Sequence, residues 1–126
     1  MTKKIISLPN PTGSYQVGRT HLNFIDENRT DPSSQADGKK RDIPIMIWYP
    51  IDESGDIQPL ELIKQRDLDN LKQVFYYKFI PKKICKILTN SYEDAPISNK
   101  DSNFPLLIFN HGFTSFLEQS TLLMEH

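Results

Sequence analysis

The chain has 126 residues, of which 37% are apolar and 25% charged, with 15 basic and 16 acidic side chains for a net charge of −1. This is a globular mixture with room for one core, so it excludes a disordered chain. The balanced charge offers no footprint for nucleic acid, and the single cysteine excludes an intrachain disulfide.

Residues 1–18 are punctuated by Pro9, Pro11, Gly13 and Gly18 and read as an arm entering the first strand. No apolar stretch follows Lys3-Lys4, so no signal peptide or membrane-spanning segment is visible, and a cytoplasmic location is the default. From Arg19 to Asp26, Leu22 and Phe24 alternate with His21, Asn23 and Ile25, the pattern of a half-buried strand. Residues 27–40 are a polar loop. Arg41 to Tyr49 alternates again through Ile43, Ile45 and Ile47, so 19–49 is expected to be an antiparallel strand pair. Pro44 cannot donate to a ladder, which places that strand near an edge.

Leu60, Ile63, Leu68, Leu71, Phe75 and Phe79 recur at helical spacing, with Pro59 suited to the first turn and Pro81 closing the segment, which predicts a helical segment over 59–80. The aromatic cluster Phe75, Tyr76, Tyr77 and Phe79 reads as helix packing in preference to a binding surface. Cys85, among Ile84, Ile87 and Leu88, reads as a small buried hydrophobe. Residues 89–104 look like a loop. Pro105 to Phe109 is an uninterrupted apolar run, as in a strand buried on both faces of a parallel sheet. Asn110-His111-Gly112-Phe113-Thr114 follows it, and Ser115 to His126 predicts a helix with Ser115 and Glu118 in capping-box spacing. Glu125 and His126 read as helix surface. The dispersed His21, His111 and His126 form no metal site, and no glycine loop suits a nucleotide, so neither metal nor cofactor is expected.

Strand, glycine turn and helix make half of a βαβ unit and give an α/β expectation for the fold. A glycine after a strand lets backbone amides approach a ligand, and a helix start adds unpaired N–H groups. Such a turn can hold an oxyanion during acyl transfer. The run from Pro105 to His126 resembles the third strand, oxyanion loop and first helix of α/β-hydrolases. More narrowly it resembles platelet-activating-factor acetylhydrolase-like esterases, as do Leu8 to Gly13, Val17-Gly18, Arg41-Asp42-Ile43-Pro44, Ile47-Trp48-Tyr49-Pro50, and Asn90-Ser91-Tyr92 with Ala95-Pro96. Ile-Trp-Tyr-Pro and His-Gly are the more specific of these blocks.

The resemblance implies that 1–126 is the N-terminal part of one α/β-hydrolase domain with an incomplete sheet. In it the Phe113 amide would be an oxyanion donor, Gly112 would permit the turn and His111 would brace the loop. A general-base role for His111 is disfavoured, because the base comes late in such chains. Gly13, Gly18, Gly38, Gly55 and Gly112 include no Gly-x-Ser-x-Gly, so the Ser-Asp-His triad is expected beyond the chain end. The implied parent is a serine carboxylic ester hydrolase acting on a small-molecule ester or lipid, such as a short-chain acyl ester or an oxidised phospholipid. The chain by itself is expected to be inactive. The alternative is a catalytically dead truncated hydrolase acting as an interaction module; a third reading is another hydrolase chemistry, such as dienelactone or peptide hydrolysis.

Overall fold

The computed structural model describes residues 5–32, 37–101 and 103–126. The first four residues of the arm and the middle of the polar loop, 33–36, lie outside them. The described residues form a mixed sheet with short helices, an α/β arrangement: β1 (Ile6–Ser7), β2 (Gln16–Thr30), β3 (Lys40–Ile51), β4 (Pro59–Glu61), α1 (Gln65–Leu71), β5 (Ile87–Glu93) and α2 (Thr121–Met124).

β2 and β3 pair antiparallel in one register from Gln16↔Ile51 to Asp26↔Arg41. The sheet order is β1-β5-β2-β3, which leaves β3 at an edge, where the missing N–H of Pro44 costs no ladder bond. β5 is the hub. β1 and β2 lie parallel to it, successively at 87–88 and 91–93, and β4 lies antiparallel at 88–92. The β4 register overlaps both of the others, so β4 holds the opposite edge.

β2 meets β5 only through Val17, Gly18 and Arg19. Those three are buried, whereas β2 beyond Arg19 has β3 as its one strand partner among the described residues, and Leu22, Phe24, Ile25 and Ile45 are exposed. The half-buried face expected of Leu22 and Phe24 is therefore absent here. Gly18 is required at its place for a steric reason. A Cβ there would sit 2.3 Å from the Tyr49 ring. With no side chain in the way, the ring crosses β2 and its hydroxyl donates to the Ala95 carbonyl at 2.8 Å.

The segment 59–80 is broken, not one helix. Pro59–Glu61 joins β5 as β4, and the Leu62 amide continues that pairing by donating to Ile87 O at 2.8 Å. The helix starts at Gln65 without a side-chain cap and stops at Leu71, and a single 3-10 turn follows at Phe75–Tyr77. Two causes combine: an unpaired strand edge competes for the backbone, and the run of β-branched and aromatic residues from Val74 to Tyr77 disfavours helix. Leu68 nonetheless buries fully, and with Ile63 and Cys85 it forms a core onto which Leu71, Ile80, Ile84 and Phe116 pack.

Residues 89–104, read as a loop, contain most of β5. Its inward positions are Thr89 and Ser91, which carry no apolar signal and are buried because each hydroxyl has a partner. Thr89 donates to Leu60 O at 2.8 Å and Ser91 to a Glu125 carboxylate oxygen at 2.5 Å. The apolar run 105–109 joins no ladder among the described residues, and Leu106, Leu107 and Ile108 are 82–89% exposed. Among the described residues no strand lies against this run, so nothing completes a backbone ladder for it.

The expected helix over 115–126 shrinks to a 3-10 turn at Leu117–Ser120 and the single turn of α2. The capping box does not form: the Ser115 hydroxyl bonds the Gln119 side chain, and Glu118 instead lies 3.9 Å from His21 Nε2.

Candidate functional site

Two aromatic anchors fix the ends of the stretch carrying the His-Gly turn. Phe104 meets the Tyr15 ring edge-on with centroids 5.7 Å apart, and Phe116 meets Tyr77 edge-on at 5.4 Å while packing on the core. Between them the chain turns once. The Ser115 amide donates to Gly112 O at 3.1 Å, closing a four-residue turn with Phe113 and Thr114 at its centre.

Thr114 has φ +67° and Phe113 does not have positive φ, which is the signature of a type II turn. Glycine is the usual occupant of that left-handed position, so a β-branched threonine holds strain there, of the order of 1–3 kcal/mol. Gly112 is not itself left-handed, and a Cβ on it would meet nothing within 4 Å. The conformational demand of the turn thus falls on Thr114, two residues beyond the position the sequence singles out.

The imidazole of His111 is half-buried, its Nδ1 3.2 Å from Gly112 O; with the proton on Nδ1 it donates to that carbonyl. The side chain of Phe113 is 99% exposed, and its amide donates to no carbonyl among the described residues. His111, Gly112 and Phe113 all border a hollow of about 570 Å³. Tyr76, Tyr77, Phe109 and Phe116 line it as well, so the turn and the aromatic cluster of the broken helical segment come together. Tyr77 packs edge-on against Phe116, as a helix-packing residue would. Tyr76 and Phe79 are 72% and 84% exposed.

A buried polar cluster that periodicity does not signal ties Glu125 to β5. Glu125, expected at a helix surface, is 4% exposed, and its carboxylate accepts from the Ser91 hydroxyl, the Asn90 amide at 2.9 Å and Asn90 Nδ2 at 3.0 Å. That amide lies between the β1 and β2 registers on one edge of β5, so the carboxylate replaces a missing strand acceptor. Arg19 is buried beside it with one bond, Nη2 to Glu61 O at 3.2 Å, while Nε and Nη1 have no partner. Burial pulls its guanidinium pKa down, and the charges of Glu118, Glu125 and Glu93 oppose that pull. Burying such a cation is tolerable here because three carboxylates compensate it. Among the described residues no group of three His, Cys, Asp or Glu side chains could hold a metal ion, and no helix is long and apolar enough to cross a membrane.

No protein-family model matches the chain, and no curated protein matches it. Among solved structures it is similar to a ferulic acid esterase from Streptomyces cinnamoneus, with a TM-score of 0.59 and 18% identity over 76% of this chain. The likeness covers 26% of that esterase, so the chain spans about a quarter of its length. At that identity the likeness is one of fold.

Proposed function

We propose that this chain forms the oxyanion side of a carboxylic ester hydrolase whose nucleophile, acid and base are supplied by further sequence. The Phe113 amide is the donor to the developing oxyanion, the His111 imidazole holds the Gly112 carbonyl, and Gly112 keeps the approach to that amide open. One observation carries the reading: an unpaired amide on a strained turn, beside a hollow large enough for a small ester. Strain of this kind persists where surrounding structure over-determines it, and such places cluster at functional sites. The esterase neighbour supports ester cleavage, and the resemblance to platelet-activating-factor acetylhydrolase-like esterases is what suggests a serine acyl-enzyme route.

In the mechanism the carbonyl oxygen of the ester gains charge as the nucleophile attacks, and a preorganised N–H stabilises that charge more than the ground state. The 126 residues contain no Gly-x-Ser-x-Gly, so the chain alone is expected to show no turnover of p-nitrophenyl acetate. In the native gene product Phe113→Pro, which deletes the N–H, should lower kcat by about 100- to 1,000-fold, whereas Phe113→Ala, which keeps it, should not. Equal effects of the two substitutions would remove the amide from the mechanism. Turnover that follows the purified 126-residue chain, and disappears when Gly112 is replaced, would overturn the division of labour.

A second reading, a catalytically dead hydrolase piece acting as an interaction module, draws on the exposed run Leu106 to Phe109. It requires a native product that neither turns over esters nor reacts with a fluorophosphonate.

A further inference from the structure

We infer that Thr114 is the positioning residue of the turn: its left-handed backbone fixes the direction in which the Phe113 N–H points. The inference rests on reading that turn as the oxyanion side of an ester hydrolase, and it adds what holds the donor in place.

The connection between the two residues passes through one peptide plane. The Gly112 carbonyl and the Phe113 N–H belong to the same trans peptide and point in opposite directions. Two groups meet that carbonyl, the Ser115 amide at 3.1 Å and His111 Nδ1 at 3.2 Å. With the oxygen turned inward to Ser115, the Phe113 N–H is turned out of the loop. A donor to a developing oxyanion has to be held in its direction before the charge appears.

Closure of the loop depends on Thr114. In a type II turn the third residue takes a positive φ to bring the fourth amide back to the first carbonyl, and Thr114 has φ +67°. A threonine does not rest there unaided. The segment that holds it lies just downstream. The Ser115 hydroxyl bonds the Gln119 side chain, and the Gln119 amide donates to Phe116 O at 3.2 Å. Phe116 in turn packs edge-on against Tyr77 and onto the core. The strain at Thr114 is therefore held against a braced segment, and the Phe113 N–H inherits that rigidity through the Gly112 carbonyl.

The test combines p-nitrophenyl acetate kinetics with amide hydrogen exchange on the native gene product. Thr114→Pro cannot take a positive φ, and proline is disfavoured here in a type I turn as well, so the loop opens. Ser115→Pro opens it differently, deleting the closing N–H while keeping the amides of Phe113 and Thr114. Both substitutions should lower kcat and kcat/KM together, toward the loss of about 100-fold that follows removal of an oxyanion donor. Thr114→Gly, which reaches the left-handed region freely, should recover kcat to within about threefold of the natural protein. Exchange at the Ser115 amide should be fast in Thr114→Pro and slow in Thr114→Gly. Slow exchange at the Asn90 amide, which Glu125 holds, reports that each variant is folded.

Full kcat in folded Thr114→Pro or Ser115→Pro overturns the inference. So does a loss confined to Thr114→Pro, which would make the Thr114 N–H itself a donor, and so does a loss in Thr114→Gly equal to that in Thr114→Pro. Those results speak to Thr114 alone, because they are read against a natural protein that turns over ester. A natural protein without turnover removes the hydrolase reading, and this inference with it.

Discussion

Residues 87–93 and 105–109 exchange the roles that their compositions assign them. Ile87–Glu93 carries Thr89, Asn90 and Ser91, yet it is the strand on which β1, β2 and β4 all pair. Pro105 to Phe109 is the most apolar stretch of the chain, yet it pairs with no strand among the described residues, with Leu107 and Ile108 both 89% exposed. Hydrophobicity reports where burial lowers the free energy, whereas strand formation depends on a neighbour that completes the backbone ladder. The polar stretch has neighbours on both edges and hydroxyl partners at its buried positions. The apolar stretch has neither.

The sharpest way to break this contrast is to truncate one side chain from each regime. Leu68→Ala, in the core beneath β5, should cost about 2–5 kcal/mol in urea unfolding of the chain. Leu107→Ala should change stability by no more than about 0.5 kcal/mol. A large loss at Leu107 would mean that the 105–109 run is covered in solution.

A smaller effect sharpens the account of why β5 tolerates polar residues. Glu125→Leu strands the Asn90 amide and the Ser91 hydroxyl, and also removes one of the three carboxylates compensating Arg19. The expected cost is about 1–3 kcal/mol, with faster hydrogen exchange at the Asn90 amide. Unchanged exchange there would mean that the carboxylate does not fill the gap between β1 and β2.

The smallest effect lies in the core itself. Burial, followed by the charges of Glu61 and Asp69, raises the Cys85 thiol above its ordinary value. A raised folded value means that this contribution to stability is complete below the unfolded thiol pKa, near about 8.5, and is lost as pH rises toward the folded one. The folded chain should therefore react slowly with a thiol reagent at pH 8 and rapidly in urea. Rapid reaction without denaturant would place Cys85 outside the core.

The strand pair β2–β3 was legible from its alternating, β-branched residues, and Pro44 marked its edge, although the covered face that the alternation suggests is missing on its outer half. Cys85 was legible from its apolar surroundings. The helix over 59–80 was legible only at Leu68 and Leu71, since the rest of the periodic pattern lost to the free edge of β5 and to the bulky run after Val74. β5 itself was hidden because its buried positions are hydroxyls satisfied by Leu60 and by Glu125, residues 29 and 34 positions away. Local sequence holds no trace of such partners. At the candidate site the residues point to a turn at His111-Gly112-Phe113, whereas the turn that closes runs from Gly112 to Ser115 and its left-handed position is Thr114, which only a backbone angle reveals. The meeting of that turn with Tyr76 and Tyr77 is a tertiary event.

The most direct test of the central claim is to label the native gene product, from its own source, with a fluorophosphonate and to determine its intact mass and the labelled residue. The account expects a product heavier than the 14.6 kDa of this chain, labelled at a serine outside residues 1–126. An unlabelled product of 14.6 kDa would contradict it.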